Sequence, residues 1–156
     1  MTGDRARPVV NFAILLNMEI KNGYYRLSVK ALIFDESRTR FLLAQEDNGK
    51  WELPGGGLDW GENFEEGIKR EVKEEMGLEV ISIAKQPSYL TTAQRDSDGA
   101  WTANVLFETK LENLDFTPSS ECMDIKFVTK EEALELNLFV TVKKFLEVYN
   151  PQNNLV

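Results

Sequence analysis

A period-two alternation of polar and apolar residues runs from residue 26 to residue 33. Such alternation is typical of a β-strand with one buried face. Residues 35–40 then predict a turn, and Phe41–Gln45 predicts the returning strand of a hairpin-like pair. A charged connector, residues 46–50, leads from this pair towards a tryptophan at position 51.

The apolar residues change to a four-residue spacing further along the chain, and this spacing predicts an amphipathic helix over residues 63–76. Asn63 or Asp59 could cap its N-terminus, and Gly77 is placed to end it. The apolar stripe of this helix consists of Phe64, Ile68, Val72 and Met76.

The remaining patterns predict more strands and then two helices. Strands are expected at residues 78–84, 89–92 and 101–110, with a tight turn at Asp98-Gly99 joining the last two. Helices are expected at residues 129–136, where Thr129 and Glu132 form a capping box, and at residues 139–149. This order predicts an α/β fold in which helices flank a mixed β-sheet.

Length and composition favour one globular unit. We expect a single domain over residues 1–156, with residues 1–24 as an N-terminal extension packed on it. An apolar stretch at residues 9–16 predicts a strand or short helix within this extension, and it could serve a dimer interface, giving a homodimer, as easily as the core. It is too short to span a bilayer, so a membrane partner is not expected.

Charge and missing residue types narrow the chemistry. The formal net charge of -8 repels phosphate backbones, which disfavours a nonspecific nucleic-acid binder. A polyphosphate partner would therefore need a local cation. The chain has no histidine, which excludes Ser-His and Cys-His catalysis. Cys122 is the only cysteine, so no internal disulfide can form and a cytoplasmic location is expected.

A glycine-rich loop stands directly before the amphipathic helix, at residues 54–57. Within the helix, Glu71, Glu74 and Glu75 lie at positions i, i+3 and i+4, so their carboxylates emerge on one side. They could be a solvated face balanced by neighbouring lysines and arginine. Together with a bare backbone loop, they instead favour a site for a hard cation, Mg²⁺ or alternatively Mn²⁺.

These residues also resemble a known family. Gly56, Glu62 and the segment 70–78, at their respective spacings, match the complete Nudix box, and the strands on either side are similar in outline. The resemblance implies an α/β/α sandwich with a central catalytic helix. It also implies hydrolysis of the pyrophosphate bond in a nucleoside diphosphate linked to another moiety.

The resemblance assigns roles to individual residues of the box. Glu74 and Glu75 would be metal ligands, and Glu71 would be either a further ligand or the general base, because the proton acceptor varies within the family. Arg70 would hold a catalytic glutamate by a bidentate ion pair, which lysine cannot reproduce. Other implied participants are Gly55 through its carbonyl, Glu62 in a supporting role, and Glu121 as a further ligand, with Asp124 and Glu108 as substitutes.

Recognition of the base or sugar needs aromatic faces and a few polar groups. The substrate-binding candidates are Arg26, Trp51, Gln94 and Trp101, followed by Trp60, Tyr89, Arg95 and Asn104.

Signatures of the ADP-ribose, NADH and coenzyme A subfamilies are absent, which favours a MutT-like hydrolase that converts a canonical or oxidised nucleoside triphosphate to a monophosphate and pyrophosphate. The alternatives are a hydrolase of ADP-ribose, nucleotide sugars or dinucleoside polyphosphates, and a noncatalytic binding module.

Overall fold

The structure is a computed structural model, and it describes residues 24–154. Seven strands and three α-helices are present in this part of the chain, followed by a short 3-10 helix at Pro151–Asn154. The strands are β1 (Arg26–Leu32), β2 (Phe41–Gln45), β3 (Trp51–Glu52), β4 (Val80–Ile83), β5 (Tyr89–Gln94), β6 (Trp101–Leu111) and β7 (Asp124–Val128). The helices are α1 (Phe64–Met76), α2 (Lys130–Leu134) and α3 (Val140–Val148).

The strands form two sheets. In the larger, mixed sheet, the long strand β6 pairs with β1 in parallel and with β4 and β5 antiparallel. In the smaller sheet, β2 lies between β3 and β7 and is antiparallel to both. The predicted α/β class with a mixed sheet is confirmed.

Strand β1 faces two hydrophobic cores. Val29, Ala31 and Ile33 pack with the apolar side of α1, whereas Leu32 joins a second core built around α3. Layers on both sides of the sheet make the molecule an α/β/α sandwich. The alternation in β1 was predicted correctly, but the expectation of one buried face was wrong. Ser28 and Lys30 are also buried, because their side chains donate to the carbonyls of Gly56 and Gly55 in the glycine-rich loop.

One sequence-based expectation about strand pairing needs correction, and one strand was missed. β1 and β2 meet only at their ends, where the amide of Leu42 donates to the carbonyl of Ile33 and Phe34 bridges to Phe41. They belong to different sheets, so the expected hairpin-like pair is limited to this short antiparallel contact around the turn at residues 35–40. Strand β7 was not predicted, because it is only five residues long and the charged Asp124 and Lys126 interrupt its apolar pattern. The element expected at residues 9–16 lies outside the described residues.

Helix α1 begins and ends as its sequence predicted. The side chain of Asn63 accepts the amide of Glu66, and the side chain of Glu66 accepts the amide of Asn63, which completes a capping box. Gly77 adopts a left-handed conformation with φ of 69° and ends the helix. Among residues 24–154, none of the helices has both the length and the apolar character needed to cross a bilayer.

Candidate active site

The glycine-rich loop lies along the free edge of β1. The amide of Val29 donates to the carbonyl of Gly56 at 2.9 Å, and the amide of Ala31 donates to the carbonyl of Pro54 at 2.8 Å. Gly55 has φ of +118°, and a Cβ atom at this position would lie 2.2 Å from the carbonyl oxygen of Val29. The close approach of two backbones therefore requires glycine at position 55.

Helix α1 presents two of its glutamates to this loop. A carboxylate oxygen of Glu75 accepts the amide of Gly55 at 2.9 Å. The carboxyl group of Glu71 packs against Gly56 so closely that a Cβ atom there would lie 2.7 Å from it. The backbone of the loop and the carboxylates of the helix consequently form one site, as the sequence predicted.

Arg70 joins the acidic side chains of the box. Its guanidinium donates two hydrogen bonds to Glu62, at 2.6 and 2.8 Å, so the bidentate pair is made with this glutamate. The Nη1 atom donates to Glu71 at 2.8 Å and to Glu74 at 3.1 Å. The bonds from Arg70, together with the amide of Asp59, lower the pKa of Glu62 to about 2. Bonding to Glu62 is also the main cause that raises the pKa of Arg70.

A buried lysine faces the loop from the other side. The ammonium group of Lys30 donates to the carbonyl of Gly55, and it lies 3.7 Å from a carboxylate oxygen of Glu52. Glu52 also accepts the hydroxyl of Thr141 at the start of α3. Burial raises the pKa of Glu75 to about 7, against the opposing effects of Lys30 and the Gly55 amide.

These groups border a cavity of about 570 Å³, which is of the size that small-molecule ligands occupy. Its wall includes the glycine loop, Glu75 and the N-terminal residues of α3. Thr102 and Asn104 on β6 are buried and also line it, and the amide oxygen of Asn104 has no hydrogen-bond partner among residues 24–154. The cavity thus combines charged, polar and main-chain oxygen groups.

The substrate-binding candidates lie in different places. Arg26 lines the cavity with its guanidinium against Gly57. Trp51 is buried in the hydrophobic core beside α3, and this packing explains an aromatic residue there. Gln94 is exposed and donates to the carbonyl of Gly99, while Trp101 is half-exposed and contacts the ring of Tyr25. The structure does not bring these last three side chains to the cavity wall.

The proposed metal ligands are only partly gathered. Glu71 and Glu74 are drawn towards Arg70, whereas Glu75 turns to the amide of Gly55. Glu121 is exposed, whereas its neighbour Cys122 is buried, and this burial, together with the charge of Glu75, raises the pKa of the thiol. Within residues 24–154, no three acidic or cysteine side chains converge into a metal-binding group by themselves.

Three residues of the site were missed by sequence reasoning: Lys30, Glu52 and Thr141. No local pattern marked Lys30, because it occupies the polar face of an alternating strand and only the fold buries that face. Nothing in the sequence signals Glu52 and Thr141, because 89 positions separate them in the chain and only the fold brings them together.

Comparisons with known proteins agree with this geometry. The family model for the NUDIX domain matches residues 24–149. Nucleoside triphosphatase NudI of Enterobacter sp. (strain 638) is 32% identical over 97 residues, which cover 58% of this chain and 69% of that protein.

Solved structures show the same fold. The MutT protein from Methanosarcina mazei Go1 superimposes with a TM-score of 0.69 at 27% identity and covers 83% of this chain and 95% of its own. The MutT NUDIX hydrolase from Burkholderia pseudomallei gives a TM-score of 0.67 at 19% identity and covers 82% of this chain and all of its own, a likeness in fold alone. The chain belongs to the NUDIX domain family and is a pyrophosphohydrolase of the MutT-like kind.

Proposed function

We propose that this protein is a Mg²⁺-dependent nucleoside triphosphate pyrophosphatase that releases a nucleoside monophosphate and pyrophosphate. The observation that carries the proposal is the contact of Glu71 and Glu75 with the glycine loop at the wall of the cavity. The name of one relative, a nucleoside triphosphatase, supports a triphosphate as the substrate.

The donor groups fit a hard divalent cation. The carbonyl of Gly55 and the carboxylates of Glu71, Glu74 and Glu75 offer only oxygen, which Mg²⁺ and Mn²⁺ prefer. The Gly55 carbonyl already binds a positively charged group, the ammonium of Lys30, so this corner of the site suits a cation. Glu121 would add an oxygen ligand from outside the box. When bound, the cation would offset charge on the phosphate oxygens and lower the pKa of the attacking water.

The proton of that water needs an acceptor within the chain. Histidine is absent, so a carboxylate must accept it. We assign this role to Glu71 or Glu74, because one nitrogen of Arg70 holds both carboxylates and Glu71 lies against the loop. Glu62 supports them indirectly by fixing the guanidinium of Arg70 through two hydrogen bonds.

The nucleoside portion would enter the cavity between β1, β6 and α3. Arg26 at its rim offers positive charge to the polyphosphate, and the unpartnered amide oxygen of Asn104 offers an acceptor to an N–H group of the substrate. We further propose that a small nucleotide is the only class of partner the site serves. The net charge of -8 disfavours nucleic acid for the reason given above.

A substrate panel tests the proposal. Nucleoside triphosphates, ADP-ribose, nucleotide sugars and dinucleoside polyphosphates are each incubated with the protein in Mg²⁺ and in EDTA, with pyrophosphatase or phosphatase as the coupling enzyme. We expect the protein to release pyrophosphate from nucleoside triphosphates in Mg²⁺ but not in EDTA. Cleavage of only another substrate class would replace the substrate assignment. If the folded protein cleaves none of the compounds, the proposed activity is contradicted.

A further inference from the structure

Lys30 is the buried charge of the site to which neither the box nor the comparisons assign a role. Its side chain is 7% exposed. Lysine is almost never buried to this extent unless its charge is paired, because removing an ammonium group from water is costly. Something at this point in the fold must therefore require a positive charge.

The surroundings of Lys30 supply that requirement. Its ammonium donates to the carbonyl of Gly55 and lies 3.7 Å from Glu52, and its charge also acts on the carboxyl groups of Glu46 and Glu75. One carboxylate and a main-chain carbonyl thus lie beside the ammonium, and two further carboxyl groups are within reach of its charge. Oxygen atoms with excess negative charge are also what a divalent cation would require.

Gly55 connects these groups directly with the proposed metal site. The carbonyl of Gly55 accepts a hydrogen bond from the ammonium of Lys30, and the amide of Gly55 donates a hydrogen bond to Glu75. The carbonyl oxygen is thereby already bonded to a cationic donor, and a divalent ion that used this oxygen would have to share it with the ammonium. Like charges at such close range repel, and burial weakens the screening between them.

We propose that Lys30 is a positioning residue that acts as a built-in cation of the active site. Its ammonium holds the place between Gly55, Glu52 and Glu75 and so limits the divalent ions that the site takes through the Gly55 carbonyl and Glu75. This inference rests on the proposed function for the location of the metal site. It predicts that removal of the lysine charge opens this place to a divalent ion.

Direct metal binding, without any substrate, tests the inference. Mn²⁺ binding to the full-length protein is followed by electron paramagnetic resonance, and thermal unfolding is recorded with and without Mn²⁺. For Lys30→Met, we expect either one additional bound Mn²⁺ per chain or Mn²⁺ affinity higher by about tenfold or more. We also expect Mn²⁺ to raise the unfolding temperature of this variant more than that of the wild type, because the metal replaces the missing charge.

Two further variants make the result specific. Lys50→Met removes the same charge at the edge of the same cavity, where Lys50 lies over the ring of Phe139, and it should bind Mn²⁺ as the wild type does. Lys30→Arg keeps the charge and should also bind as the wild type does. Lys30→Gln is the second neutral variant, and it should reproduce the behaviour of Lys30→Met.

The outcomes are distinct from those of the substrate panel. Unchanged or weaker Mn²⁺ binding by folded Lys30→Met and Lys30→Gln would overturn the inference. Failure of both variants to fold even in Mn²⁺ would also overturn it, since the metal would then be unable to replace the ammonium. An inactive protein whose Lys30→Met variant still gains Mn²⁺ would refute the proposed function and leave the inference standing.

Discussion

Arg70 determines how the acidic residues of α1 are held. Five hydrogen bonds leave its guanidinium, four of them to the carboxylates of Glu62, Glu71 and Glu74 and one to the carbonyl of Gly57. A planar guanidinium can serve this many acceptors at fixed angles, whereas an ammonium acts as a point charge. The side chain therefore offsets the repulsion among neighbouring glutamates and orients them towards the glycine loop.

Glu74 provides a test that separates chemistry from folding. It is half-exposed, and Glu74→Gln preserves its size while removing its charge. We expect turnover to fall by about 100-fold or more, while the free energy of unfolding changes by no more than about 0.5 kcal/mol. The control is Glu65→Gln, an exposed glutamate on the same helix that pairs with Lys69 and should retain full activity. A fully active Glu74→Gln enzyme would refute the site assignment.

The lowered pKa of Glu62 predicts the pH range over which acid destabilises the folded protein. Its pKa is about 2 in the folded protein, below the ordinary value of 4.5. A carboxyl whose folded pKa is lowered contributes stability above its unfolded pKa, and this contribution is lost as the pH falls towards the folded pKa. Between pH 4.5 and about 2, the free energy of unfolding should therefore drop more steeply for the wild type than for Glu62→Gln. Denaturant titrations at a series of pH values measure both slopes, and parallel curves would contradict the assignment.

The sequence predicted the box residues but not all of their partners. The contact of Glu71 and Glu75 with the loop follows from local spacing, because loop and helix are adjacent in the chain. The bidentate partner of Arg70 was expected to be a catalytic glutamate, and the structure shows Glu62 in that place. The burial of Lys30 depends on Gly55 and Glu52, which lie against its ammonium group, and this is a tertiary effect that no local pattern reports.

At the scale of elements, α1 is fixed at both ends by different means. A capping box at Asn63 starts it, while its C-terminal half is tied to the loop by Glu75 and ends at Gly77. The apolar stripe buries Ile68, Val72 and Met76, and Phe64 remains partly exposed against the ring of Phe107. The helix is thus anchored to the core along one face and presents its carboxylates on another.

Removal of the N-terminal cap should cost stability and spare catalysis. Asn63→Ala deletes the acceptor for the amide of Glu66, and we expect the free energy of unfolding to fall by about 1 kcal/mol. The turnover number should change little, because the catalytic end of α1 is held independently by Arg70 and Gly55. Thermal unfolding and steady-state kinetics measure the two effects.

The matched control for this change is Asn113→Ala. Asn113 is exposed in a loop, and its side chain accepts only a local amide from Asp115. Its replacement should change the free energy of unfolding by about 0.5 kcal/mol or less. Equal losses for the two variants would show that the cap of α1 has no special weight.

Strands were harder to predict than helices for a physical reason. Helical pattern and caps are local, so α1 was predicted to within one residue of its observed start. Strand β3 is only two residues long, and β7 pairs with β2, from which it is distant in the chain. Strand β1 shows the same dependence, since its regular alternation does not reveal that its polar face is covered by other elements.

At the scale of the whole molecule, strands β1 and β2 each contribute side chains to both hydrophobic cores. β1 sends Val29 into the core beside α1 and Leu32 into the core beside α3, and β2 does the same with Leu42 and Leu43. Neither core can be lost without removing support from the strands shared with the other. We therefore expect cooperative, two-state unfolding.

Two probes of equilibrium unfolding test this expectation. In a variant that carries Trp60→Phe and Trp101→Phe, fluorescence of the buried Trp51 reports the core beside α3, and far-ultraviolet circular dichroism reports the secondary structure of the whole chain. In EDTA, where metal binding does not contribute, the two denaturation curves should coincide. Separate midpoints would contradict the single-domain proposal.

The central claim is that loop and helix form a metal-dependent pyrophosphatase site, and one measurement tests it most directly. A nucleoside triphosphate is incubated with the protein in Mg²⁺ and in EDTA, and the products are separated by ion-exchange chromatography. The proposal predicts nucleoside monophosphate and pyrophosphate in equal amounts, formed in Mg²⁺ and absent in EDTA. Release of orthophosphate with a nucleoside diphosphate, or equal rates in Mg²⁺ and EDTA, would contradict it.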